Sequence, residues 1–166
     1  MYGFEHCTTR RVAPIEGVTA SRKFLLVTTN GFVLDPRLDQ DTVWVCDWPL
    51  AAVRLMNDRR YPWLVLVPRR AGLVEPFDLA ADDRVRLWRE VDHAGALLKK
   101  ATGCRKVNVG ALGNIVSQLH VHVIARSDGD AAWPGPVWGH GTAERFEVAA
   151  LAQEVERYRA LLQPPT

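Results

Sequence analysis

The segment Gln118-Leu119-His120-Val121-His122-Val123-Ile124 constrains the fold of this chain more than any other. Polar and apolar residues alternate through it. Successive side chains of a β-strand point to opposite faces. Gln118, His120 and His122 are therefore expected on one face, with Leu119, Val121 and Val123 on the other. The pattern predicts a strand over residues 118–126. Of the five histidines in the chain, two share this strand face. Imidazole has the unperturbed pKa nearest neutrality, so the pair can act as nucleophile, acid or base at physiological pH.

The surrounding sequence supplies partners for that strand. Residues 25–28 read as a short strand, and residues 42–47 and 51–56 as two better ones. The last of these is ended by the turn-forming pair Asn57-Asp58. Trp63-Leu64-Val65-Leu66-Val67 is a continuous apolar run closed by Pro68, which fits a central strand buried on both faces. Residues 105–109 predict a further strand, separated from the histidine strand by Gly110-Ala111-Leu112-Gly113-Asn114.

One long helix is expected between them. Asp78 offers an N-cap, Asp82 and Asp83 suit the first turns, and Leu87, Val91, Ala94 and Leu98 form an apolar stripe with Trp88 beside it. Lys99, Lys100 and Gly103 mark its end. A second amphipathic helix is expected over residues 143–162, with Val148, Leu151, Val155, Tyr158 and Leu162 as its stripe. The whole reads as an α+β fold with a mainly antiparallel sheet of about five strands. Residues 1–22 are weakly patterned and read as a loosely ordered extension, leaving residues 23–166 as one domain.

Composition narrows the function. A chain of 166 residues with 48% apolar residues can build one real core. Its net charge of +2 lacks the basic footprint of a duplex-DNA binder. Cys7, Cys46 and Cys104 are far apart and odd in number, which suits a reducing cytoplasm better than a disulfide framework. No run approaches ~18 unbroken apolar residues, so no membrane span is expected, and the N-terminus does not read as a signal peptide.

Two histidines one residue apart on a strand admit three readings. They can hold zinc, given a third protein ligand; His93, His140, Asp128 and Asp130 are available but form no ligand motif. They can carry covalent phosphoryl chemistry, one ring attacking phosphorus while its neighbour positions or protonates the departing oxygen. They can also be ordinary half-exposed strand residues. Alternation alone leaves all three open.

The longer stretch from Gly113 to Arg126, Gly-Asn-Ile-Val-Ser-Gln-Leu-His-Val-His-Val-Ile-Ala-Arg, resembles the signature of the histidine-triad (HIT) superfamily. That signature is His-φ-His-φ-His-φ-φ, with φ apolar, behind a glycine-containing phosphate loop. Lys106-Val107-Asn108-Val109-Gly110 resembles the asparagine-bearing strand before the loop. Asn57 through Pro68 resembles the turn and strand that lead to the family's long helix. The likeness covers roughly residues 40–140 and matches the order of elements. Two departures stand out. Gln118 replaces the first histidine, and Pro62-Trp63 occupies the region where a Gly-His pair is often found.

The resemblance implies a HIT-like fold and a nucleotide substrate. It implies His120 as the nucleophile at the middle position, His122 as the group that helps bind phosphate and handle the leaving group, and Gln118 as a supporting residue that cannot titrate. Backbone N–H groups near Gly113 and Asn114, with the Asn114 side chain, match phosphate contacts. Asn57 and Asn108 match positions on the ribose and phosphate side. The implied activity is hydrolysis or nucleotidyl transfer on a dinucleoside polyphosphate or nucleoside phosphoramidate, through a nucleotidyl-histidine. The alternatives are a nucleotide-binding protein with little turnover and a zinc-dependent hydrolase. No cofactor is required, although a divalent cation can accompany the substrate's phosphates. The resemblance also implies a homodimer. Arg126 reads as a solvated strand-end residue and His93 as structural. The tryptophans and prolines of residues 132–140 read as rigid apolar corners, suited to covering the site, a subunit contact or ordinary packing.

Overall fold

The computed structural model describes residues 31–165. The strand expected at residues 25–28 and the extension expected at residues 1–22 lie outside them. In chain order the elements are α1 (Pro36–Asp41), β1 (Thr42–Asp47), β2 (Ala51–Met56), β3 (Trp63–Pro68), a single 3-10 turn (Pro76–Asp78), α2 (Ala81–Thr102), β4 (Lys106–Gly110), β5 (Val121–Arg126) and α3 (Val148–Leu161). The five strands form one sheet in the order β1-β2-β3-β5-β4. All four pairings are antiparallel.

The apolar run at 63–67 becomes the middle strand of this sheet, and every residue of β3 is buried. Both faces are covered, which is what a run without polar alternation requires. On one face, Leu64, Leu66, Val121, Val123 and Ala125 pack with Leu87, Val91, Ala94 and Leu98 of α2 and with Val155 and Tyr158 of α3. The other face carries Trp63, Val65, Val67 and Ile124 under Phe32, Leu38, Ala132 and Val137. The α2 stripe is buried as its spacing predicts, and Gly103 closes the helix in the left-handed region at φ 64°.

Two helix starts differ from expectation for local reasons. Helix α2 starts after Ala80, not at Asp78. The Asp78 carboxylate is already engaged, accepting the Val74 and Glu75 N–H groups in the preceding turn. Helix α3 starts at Val148, not near residue 143. The chain before it lies along the 57–59 turn: Arg59 N–H donates to the Glu144 carbonyl, and the Glu144 and Phe146 N–H groups donate to the side chains of Asp58 and Asn57. Those bonds satisfy backbone groups that a first helical turn would leave open. The short helix α1 has a readable origin in Asp35-Pro36, an N-cap whose carboxylate accepts the Arg37 N–H followed by proline in the first turn.

One buried carboxylate ties the layers together. Glu90 of α2 accepts the N–H groups of Leu50 and Ala51, at 2.8 and 2.9 Å, from the β1–β2 turn. Burial raises its pKa above the usual carboxylate range, and the two backbone donors oppose that rise. No helix among the described residues is long and apolar enough to cross a membrane.

Candidate active site

The histidine strand begins at Val121, so Gln118 and His120 lie in the chain that leads into β5. The reason is visible at Gln118. Its Oε1 accepts the Asp35 N–H and its Nε2 donates to the Val33 carbonyl, both at 2.8 Å. One planar amide thus supplies the donor and the acceptor needed to hold an extended backbone. Nearby, Arg37 Nη1 donates to the Ile115 carbonyl at 2.6 Å. The segment from Val33 to Arg37 is clamped at two points to the loop that precedes the histidines. The Arg37 guanidinium holds the Asp35 carboxyl below its usual range, and the charge of Asp35 also interacts with His120.

The two rings adopt complementary protonation. His120 Nδ1 lies 2.7 Å from the Gln118 carbonyl oxygen. A carbonyl only accepts, so Nδ1 carries the proton and Nε2 of the neutral ring presents a lone pair. His122 Nδ1 lies 3.0 Å from Trp63 Nε1. Indole N–H only donates, so this Nδ1 accepts and the neutral ring carries its proton on Nε2. Burial, reinforced by His120, lowers the His122 pKa to about 3, so the ring is neutral at physiological pH. The ring centroids are 4.8 Å apart and nearly perpendicular. Neither Nε2 has a protein partner among the described residues.

Aromatic walls enclose the pair. Trp63 and Trp138 meet His122 edge-on, with centroids at 5.4 and 5.8 Å, and meet each other at 6.4 Å. Trp138 comes from the tryptophan–proline segment, so that segment covers the histidines. Gly110, which pairs with His122 across β4 and β5, makes the approach feasible. A Cβ there would stand 3.0 Å from the Trp138 ring. His120 and His122 are buried, at 7% and 6% exposed. His120 borders a cleft lined also by Glu75, Leu112, Gly113 and Gln118, with a volume of about 10 Å³, enough for about one water.

The other sequence candidates occupy distinct positions. Gly113 is on the cleft wall at φ +73°, a left-handed turn that glycine adopts without strain. Asn114 is exposed beside it. Asn108 faces Ile124 across the β4–β5 ladder, and its Oδ1 accepts from Arg126 Nη1 at 2.8 Å. Asn57 follows β2, two strands from β5, and its Oδ1 accepts the Phe146 N–H. The structure brings His120, Gln118 and Gly113 to one cleft, with His122 packed against His120; Asn57 and Asn108 stand apart from that cleft.

Arg126 is not a solvated strand end. It is 1% exposed, paired with Asp130 and bonded to Asn108 and the Gly135 carbonyl. A buried guanidinium needs such partners, and they fasten the tryptophan–proline segment to the sheet. His93 lies against Trp48 and its Nε2 meets the Gln163 carbonyl at 2.9 Å. No group of three His, Cys, Asp or Glu residues among the described residues is arranged to hold a metal ion.

The family model of the HIT domain matches residues 37–129, more than half of the chain. The chain belongs to the histidine-triad family. It is similar to a solved HIT protein from Sinorhizobium meliloti at 51% identity, over 79% of this chain and 97% of that one, with a TM-score of 0.76. A HIT protein from Bradyrhizobium japonicum matches at 42% identity over 80% and 98% of the two chains, with a TM-score of 0.76. One from Marinobacter aquaeolei matches at 40% over 79% and 96%, with a TM-score of 0.77. No curated protein matches the chain. The HIT match ends at residue 129, so Trp138 lies beyond it although it walls the histidines. Trp63 and Trp138 are the site residues that the histidine pattern alone did not reach. The recurrence of Trp-Pro and Pro-Val-Trp just after the strand was the available signal.

Proposed function

We propose that this HIT protein is a nucleotide hydrolase or nucleotidyl transferase that works through a nucleotidyl-His120 intermediate. The carrying observation is the bond from His120 Nδ1–H to the Gln118 carbonyl. It fixes the tautomer that a nucleophile needs and disperses the positive charge that attack creates. In the first step the Nε2 lone pair of His120 forms a bond to the α-phosphorus, and the bond from phosphorus to the leaving group breaks with its electron pair. In the second, water attacks the same phosphorus and gives its proton to solvent, the N–P pair returns to Nε2, and a nucleoside monophosphate leaves. Transferring to another acceptor in place of water gives the nucleotidyl transferase. The substrate class is a dinucleoside polyphosphate or a nucleoside phosphoramidate.

His122 donates its Nε2–H to a phosphoryl oxygen, and backbone N–H groups around Gly113 and Asn114 donate to the others. Gln118 holds the loop that carries the nucleophile. Asn57 and Asn108 stand outside the cleft, with their Oδ1 atoms bonded to Phe146 N–H and Arg126, so they meet the sugar and phosphate side only of a nucleotide that extends beyond it. The cleft beside His120 is narrow, and the loop over residues 111–117 that borders it carries Ile115, which is 82% exposed. The protein supplies no cofactor to this chemistry; a divalent cation arrives with the substrate's phosphates.

Incubating the protein with diadenosine polyphosphates and adenosine phosphoramidates in the presence of a chelator tests this reading. Turnover that resists the chelator and disappears in His120→Ala supports it. Tight binding without product favours a nucleotide sensor, a reading to which the near-closed cleft lends weight. Chelator-sensitive turnover would point to a zinc enzyme. We also propose a homodimer in the cytoplasm. Among the described residues strand β4 is a sheet edge with Val109 exposed, and two such edges can pair across a two-fold axis. Cys46 and Cys104 are free thiols. Light scattering on the purified protein would report twice the mass of the 18.6 kDa chain.

A further inference from the structure

We infer that Trp63 locks His122 as a neutral hydrogen-bond donor, and that the site therefore selects nucleotide derivatives whose leaving group departs as an anion: phosphoanhydrides over phosphoramidates. The inference rests on the nucleotidyl-His120 reading and names the substrate class within it.

The argument follows the proton. When a phosphoanhydride is attacked by His120, the P–O bond breaks with its electron pair and the leaving phosphate is a stable anion. No proton is needed at that instant. When a phosphoramidate is attacked, the P–N bond breaks and the nitrogen must gain a proton, because an amide anion is far too basic to leave. The ring next to the nucleophile is His122, and its one proton sits on Nε2. Giving that proton away would leave an imidazolate unless Nδ1 were reprotonated at the same time. The group facing Nδ1 is the Trp63 indole N–H at 3.0 Å, a donor that does not ionise in water's pH range. It can hold a hydrogen bond but cannot pass a proton on. His122 thus stabilises charge on a phosphoryl oxygen, as a neutral imidazole does, without acting as an acid.

Among the described residues the surroundings offer no substitute. Val65 and Trp63 of β3, Gly110 of β4 and Trp138 face His122 and bring no ionisable group. His120 is the titratable neighbour, and its own Nδ1 proton is committed to the Gln118 carbonyl. Arg126, farther along the same strand face, is committed to Asp130. The ring's pKa near 3 fits the same picture. A histidine in place of Trp63 would be able to relay a proton to Nδ1, which indole cannot. Trp63 is a positioning residue, and exchanging it should change which leaving groups are accepted.

The experiment compares diadenosine tetraphosphate with adenosine phosphoramidate on the full chain, in wild type, Trp63→His and Trp63→Phe. NMR of isotope-labelled histidine rings is recorded alongside. In wild type, kcat/KM for the dinucleotide should exceed that for the phosphoramidate by at least about tenfold at neutral to mildly alkaline pH. The phosphoramidate rate should fall as pH rises, because its proton comes from solvent, while the dinucleotide rate stays flat. Trp63→His should narrow the gap. Trp63→Phe, which keeps a ring but removes the donor, should abolish the single Nε2–H signature of His122. Equal efficiencies in wild type, or a His122 ring protonated on Nδ1 or cationic near neutrality, would overturn the inference while leaving the nucleotidyl-His120 reading standing. Turnover of neither compound, in a protein whose His122 carries the expected signature, would overturn that reading and the selection built on it. The wild-type rates and spectra decide the matter even if a variant fails to fold.

Discussion

Strand β5 belongs to two different environments at once. Val121, Val123 and Ala125 point into the apolar cluster between the sheet and helices α2 and α3, which the buried Glu90 carboxylate enters to accept the Leu50 and Ala51 N–H groups. His122, Ile124 and Arg126 point to the opposite side, where apolar contacts are threaded by polar bonds: Trp63 to His122, Arg126 to Asp130 and Asn108, Gln118 to Val33 and Asp35. Both sides are equally buried. What separates them is the kind of interaction. Apart from the Glu90 contact, the helix side is held by area and shape, which tolerate no loss of volume but need no direction. The histidine side is held by directed donors and acceptors, each of which also sets a protonation state. Stability is concentrated on one side of the strand and chemistry on the other, with six residues of backbone between them.

Substitutions on the two sides should therefore fail in different ways. His120→Ala should lower turnover by at least about 10³-fold, as loss of a covalent nucleophile does, with little change in the urea midpoint; a comparable loss of stability would mean that the ring is chiefly packing. Leu66→Ala, on the helix side, should cost roughly 2–5 kcal/mol of stability and leave turnover per folded molecule unchanged, read from denaturant unfolding and steady-state rates. The acid limb separates the sides again. His122 is held near pKa 3, against an ordinary value of 6.5. Between those values the unfolded chain binds a proton that the folded chain excludes, so stability falls as pH falls through that window. The loss should reach about 2 kcal/mol by pH 5, and His122→Asn should flatten it. The smallest effect is expected at Gln118→Ala. It should cost about 1–2 kcal/mol and speed hydrogen exchange in residues 33–35, because two directed bonds are lost and no large volume is.

The helix side was the more legible of the two in the sequence. Leu87, Val91, Ala94 and Leu98 announce their stripe by spacing, and the run from Trp63 to Val67 announces a strand covered on both faces. Periodicity reports burial, and burial is what that side is made of. The histidine side was legible only in its motif. Spacing gave the shared face of His120 and His122. It did not reveal that Gln118 would turn away to clamp Val33 and Asp35, that Arg126 would be buried on Asp130, or that Trp63 and Trp138 would close around His122. Gln118 and His122 find partners 59 to 85 residues away, and Asp130, only four residues from Arg126, is reached by a directed pairing; neither leaves a periodic trace. Helix α3 teaches the same lesson at its start. Its apolar pattern runs back to Val148, while Glu144 and Phe146 are drawn off by Asn57, Asp58 and Arg59.

The central claim is that His120 Nε2 becomes covalently attached to the nucleotide. Quenching the reaction with alkali, under which a phosphorus–nitrogen bond to histidine survives, followed by peptide mass spectrometry, tests it directly. The account predicts a nucleoside monophosphoryl group on the peptide containing His120, located on that residue, appearing within the first turnover and absent in His120→Ala. Turnover that proceeds at the full rate with no adduct, or an adduct carried by His122 or any other side chain, would contradict it.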